Sequence, residues 1–115
     1  MNPIQQLEDL LDELKKDKTK KLEIVSPPLD LPFKIGKAYL IRTITMYYTG
    51  RVEAIKGKFL ILNECAWIAD TGRWNEAVSS GSFNEVEPMG DGVILSTDPI
   101  LDAVEIAYKL PNKVK

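Results

Sequence analysis

The chain has 115 residues, 44% hydrophobic and 28% charged, and a net charge of −2. This suits one globular domain and gives no overall pull toward nucleic acid. It carries no histidine and a single cysteine, Cys65, which excludes an internal disulfide, a multi-cysteine zinc site and the Ser-His and Cys-His nucleophile pairs.

Residues 1–17 are expected to form an amphipathic helix. Asn2 is placed to cap it, Pro3 suits the first helical position and Gln5 completes a capping-box spacing. Ile4, Leu7, Leu11 and Leu14 follow a heptad with Leu10 beside them, while Glu8, Asp9, Asp12 and Glu13 line the other side. So short a helix does not persist alone in water. The stripe therefore packs on this chain's own domain or on a second copy, and a homo-oligomer is expected. An acidic start without a long apolar stretch is unlike a secretory signal, and no apolar run reaches membrane-spanning length. The expected location is the cytoplasm, with no membrane partner.

Residues 18–33 read as a basic and Pro-rich linker. Lys15, Lys16, Lys18, Lys20 and Lys21 form a basic cluster, and Pro27, Pro28 and Pro32 forbid a helix. Leu22, Ile24 and Val25 are a possible edge strand. "SPPLDLP" fits a stiff spacer and also the geometry of a polyproline ligand.

From Lys34 the pattern turns to short strands. "KAYLIRTITMYY" is rich in strand-forming residues and "YTGR" reads as a turn, with Gly50 supplying a positive φ. "RVEAI" follows, then a turn at Gly57, then "FLILNECAWIAD". In "TGRWNEAVSSG", Trp74, Ala77 and Val78 share a helical face and Gly81 ends a short helix. "FNEVEP" and "GVILS" are further strands. Residues 98–110 carry both a helix-start signal and a strand alternation through Val104, Ile106, Tyr108 and Leu110, and the strand is preferred. The expected fold is mainly β: a small antiparallel SH3-like or Sm-like barrel over 34–111 with a short helical insertion, then a basic tail, 112–115.

Cys65 lies among apolar residues and reads as a buried, inert thiol. Without histidine, catalysis would rest on carboxylates, lysine or tyrosine alone, so a non-enzymatic protein without catalytic residues, metal or cofactor is expected. Two loops suggest a ligand-binding rim. Tyr48 and Arg51 flank the first. In "AWIADTGRW", Asp70, Thr71 and Arg73 precede a helix start, and Trp67 and Trp74 offer stacking faces, a set suited to a planar anion such as a nucleotide. The alternative is that Asp70 or Thr71 caps the helix, Trp74 fills the core and Arg73 pairs with Glu85 or Glu87. Glu85, Glu87 and Asp91 lack the loop spacing of a calcium site and read as a solvated acidic face.

"YYTGRVEAI", "AWIADTGRW", "NEVEP" and a last apolar strand ending in "LP" resemble a family of small uncharacterised phage and prophage proteins. The resemblance spans residues 34–111 and implies a phage or bacterial cytoplasmic context. "TGRVEAIKGKFLIL" is also similar in layout to the first motif of Sm-like proteins, while the second is not evident in "GVILSTDPILDA". The expected function is an oligomeric binding module, an inhibitor or sponge for a nucleotide-like ligand or a host protein. The alternatives are a virion structural or assembly protein and an Sm-like nucleic-acid-binding protein.

Overall fold

The computed structural model describes residues 30–115. The chain divides into two units, Met1–Asp30 and Leu31–Lys115. The helix expected over 1–17, its apolar residues Ile4, Leu7, Leu10, Leu11 and Leu14, the lysine cluster and the linker as far as residue 29 lie outside the described residues.

Six strands and one short helix follow one another: β1 (Ala38–Thr43), β2 (Tyr47–Lys56), β3 (Phe59–Asp70), α1 (Trp74–Ser80), β4 (Glu85–Gly90), β5 (Val93–Ser96) and β6 (Ile100–Ile106). All the pairings are antiparallel. The order across the sheet is β4-β3-β2-β1-β6, with β5 also beside β3. Within 98–110 the strand covers Ile100–Ile106, and Tyr108 and Leu110 lie beyond it, packed with the helix-face core.

The barrel expected from the sequence is not closed. Among the described residues the sheet ends at β6 on one side and at β4 and β5, both beside β3, on the other, and no pairing joins β5 to β6. The link Thr97–Pro99 is tied to the β2–β3 hairpin instead: the Thr97 amide and hydroxyl both donate to Lys58 O, at 2.9 and 2.8 Å. Cover for the sheet comes from other elements. β1 is buried on both faces, which a single open sheet achieves only when something packs on each side.

On one face, here the helix face, Ala38, Leu40, Ala66, Ile68, Val86 and Ile106 pack against Ala77 of α1, Phe83 and Leu110. On the other, the hairpin face, Tyr39, Ile41 and Cys65 meet Val52, Leu60 and Leu62 of the β2–β3 hairpin, with Leu31 and Phe33 packed alongside. Burying each such large side chain contributes roughly 1.5–3 kcal/mol. The hairpin reaches this face because β2 and β3 bend. Their register shifts between Thr49 and Arg51 and again between Val52 and Ala54, and each extra residue increases local twist and curvature. At the first bend Glu64 takes a positive φ of 50°. Its amide donates to Asp91 Oδ1 (2.8 Å), and the Gly92 amide donates to Asn63 Oδ1 (3.1 Å), which replaces the lost ladder bonds.

This bend also corrects the turn expected at "YTGR". Tyr47–Lys56 is one continuous strand, and the chain reverses at Ile44–Met46. Gly50 is not among the positive-φ glycines. A Cβ there would sit 3.1 Å from Leu62 Cβ, so glycine permits the close approach of β3 rather than a turn.

The helix ends as expected. Gly81 takes φ 69° as C-cap and its amide donates to Ala77 O. Its start is different: Arg73 is the N-cap residue and no side chain caps it.

Candidate functional site

Alternation along neighbouring strands separates the residues that the sequence grouped. Tyr47 belongs with the helix-face core and Tyr48 with the hairpin-face core. Trp67 lies between Ala66 and Ile68, both in the helix-face core, and so points to the hairpin face beside Tyr48, its direct cross-strand partner. Trp74 packs on Tyr47 with ring centroids 5.6 Å apart, on the opposite side of the sheet. The two tryptophans therefore do not form one cleft.

The hairpin face carries a continuous row across five strands: Glu87 beside Trp67, Trp67 beside Tyr48, Tyr48 beside Ile41, Ile41 beside Ala103. Met46 adjoins it, and the Tyr48 hydroxyl points at its sulfur (3.1 Å). Ile41 is fully buried, whereas Trp67 is 38% and Met46 42% exposed. Tyr48 is half-buried. An aromatic pair on adjacent strands offers a rigid surface whose ordering costs little entropy. The charged side chains at paired positions of this face are Glu85, Glu87 and Glu105, all carboxylates.

On the helix face, Trp74 and Tyr47 stand next to Arg42, which pairs with Asp102 across β1 and β6. The hydrogen bond and charge of Asp102 raise the Arg42 guanidinium further above its ordinary value. Arg42 Nε is buried without a partner. In the loop before α1, Asp70 turns inward on its own backbone: its Oδ1 accepts from the Gly72 amide (2.9 Å), and its carbonyl accepts from the Asn84 amide (2.9 Å). The Thr71 hydroxyl donates to Gly72 O. Arg73 is exposed and makes no ion pair among the described residues, with Glu85 and Glu87 included. Arg51 is remote from this loop, its Nε donating to Glu64 (3.1 Å) and its NH1 to Gly36 O.

The structure thus brings Tyr48 and Trp67 together, keeps Asp70, Thr71, Arg73 and Trp74 along the turn from β3 into α1 with Trp74 on the other side of the sheet, and places Arg51 apart from both. Sequence reasoning missed Met46 and Glu87. Counting two residues back from Tyr48 yields Met46, but Glu87 needed the β3–β4 register.

Cys65 is buried in the hairpin-face core, and desolvation pushes its thiol up to about 11, as expected of a structural cysteine. Among the described residues no group of His, Cys, Asp and Glu could hold a metal ion, and no helix is long and apolar enough to cross a membrane. Asp91 is committed to the Glu64 amide and Glu87 lies beside Trp67. No protein-family model matches the chain, and no curated protein matches it.

Proposed function

We propose that this chain is a non-enzymatic binding module that recognises a protein partner through the Trp67–Tyr48 row of its sheet. The observation that carries this reading is the cross-strand pair itself: two aromatic rings side by side on a rigid surface, with Met46 at their edge and part of Trp67 left in water. Aromatic and methionine side chains are the residue types that dominate protein recognition surfaces. Charge favours a protein over a nucleotide. Glu87 and Glu105 would repel a phosphate and attract lysine or arginine, which also stack on aromatic faces.

The resemblance to phage and prophage proteins makes a host protein the natural partner, and inhibition or sequestration the natural outcome. The strand order, with the last strand returned beside the first, supports an SH3-like or Sm-like layout that stays open. An oligomer held by the helix expected over 1–17 belongs to the same proposal.

The test uses tryptophan emission. The chain has two tryptophans, so Trp74→Phe leaves Trp67 as the sole reporter. Peptides alternating lysine or arginine with apolar residues are expected to shift its emission, and ATP is expected to leave it unchanged. In that background Tyr48→Ala should fold and lose the emission shift, and Trp67→Ala should fold and lose peptide binding by calorimetry. A response to ATP with none to the peptides refutes the protein-partner reading.

A further inference from the structure

The sheet has edges at β4, β5 and β6; β5 is only four residues long, itself a way to blunt an edge, and the two longer edges are treated differently. At β4, Pro88 has no N–H to offer, and Val86 exchanges two backbone hydrogen bonds with Lys115 at 3.0 Å each. Proline and a crossing tail are devices that block a sheet edge from further pairing. β6 has neither.

The hydrogen-bond phase shows which groups are open on β6. The Thr43 amide donates to Met46 O and the Val52 amide to Lys37 O, so the odd-numbered residues of β1 bond to β2. Its even-numbered residues therefore bond to β6, where Ala38, Leu40 and Arg42 face Ile106, Val104 and Asp102. Ala103 and Glu105, in between, turn their N–H and C=O groups away from the sheet, unpaired among the described residues. Their side chains lie on the hairpin face, and Ala103 ends the row that begins at Glu87.

We infer that the open edge of β6 takes an extended, basic segment of the partner protein as an added antiparallel strand, with Ala103 and Glu105 supplying the backbone hydrogen bonds. This rests on the protein-partner reading above and adds a second contact to it, because a strand beyond β6 lies four strand spacings, about 19 Å, from β3 and does not itself touch Trp67. Charge decides the occupant. Asp102 already has Arg42, whereas Glu105 is exposed and without an ion pair among the described residues. A second copy would bring a further Asp102 and Glu105 and no unpaired cation from β1 or β6, so self-pairing is opposed. A strand of alternating lysine and apolar residues answers Glu105 at the edge itself and leaves its backbone free to pair.

The experiment is amide hydrogen exchange on the full chain with a seven-residue probe of alternating lysine and valine, beside a twin carrying glutamate for lysine. The Ala103 and Glu105 amides are expected to exchange freely alone, to slow at least tenfold with the lysine probe, and to be unaffected by the glutamate twin. Ala103→Pro removes one outward N–H and is expected to weaken probe binding at least tenfold. Glu105→Lys, which spares the backbone, is expected to weaken it as well and covers the case in which the proline variant does not fold. If the probe shifts Trp67 emission while both amides exchange as before, the edge inference falls and the protein-partner reading stands. If neither responds, both fall. Protection without probe that grows with protein concentration means that a second copy fills the edge, and overturns the inference.

Discussion

Replacing Gly81 by alanine tests how the helix is locked to the sheet. Gly81 sits at φ 69°, in the left-handed region, where an alanine costs roughly 1 kcal/mol more than glycine. A steric term is added. The new Cβ would lie 2.5 Å from Tyr108 Cε1 and 2.6 Å from Cδ1, so the ring must move. That ring donates a 2.8 Å hydrogen bond to Ala77 O, worth about 1 kcal/mol. It also meets Phe83 edge-on at 6.3 Å, a contact worth roughly 0.5–1.5 kcal/mol. The total is about 3 kcal/mol, or roughly 10–20 °C in melting temperature for a domain of this size. Gly57→Ala is the control, because Gly57 has φ 57° and nothing within 4 Å of an added Cβ. It should cost only about 1 kcal/mol, the backbone part. Urea or thermal unfolding of both variants, followed by circular dichroism, gives the difference. Equal destabilisation in the two would refute the packing argument. In a Tyr108→Ala background the extra cost of Gly81→Ala should vanish, since its cause is gone.

Thr49 is fully buried and its hydroxyl has no partner, so Thr49→Val should raise stability by about 1 kcal/mol in the same unfolding assay; a loss would mean that the hydroxyl is satisfied in solution. Folding raises the Cys65 thiol from 9.0 to about 11 and the Tyr108 phenol from 10.0 to about 12, both through burial. The folded state then holds protons that the unfolded state has released, so these two groups leave stability unchanged below pH 9 and lower it between pH 9 and 12. Cys65→Ala should remove the earlier part of that fall, and an unchanged pH profile would refute the assignment. Deleting residues 1–21 should reduce an oligomer to a folded monomer by light scattering, and an unchanged mass would sink an assembly role for Ile4, Leu7, Leu10, Leu11 and Leu14.

Local chemistry was legible in the sequence. Strand-forming residues from Ala38 onward, the hairpin turn at Gly57, the αL stop at Gly81 and the buried cysteine each follow from what a few neighbouring residues can do. The mainly β class follows from them. The tertiary structure alone decided the role of Gly50, because its need is the approach of Leu62 from another strand and not a local turn. It alone left the barrel open, since strand closure depends on pairings between distant segments that carry no local signature. It also divided the proposed rim. Tyr47 and Tyr48 were bound to face opposite ways by the strand's period of two, but which side each tryptophan joined depended on the register of β2 against β3 and on the loop that carries α1 across the helix face. Glu87 entered the row only through its pairing with Trp67. A bulge shifts such pairings by one residue, and where a bulge forms is set by packing on both faces together, which no short stretch of sequence contains.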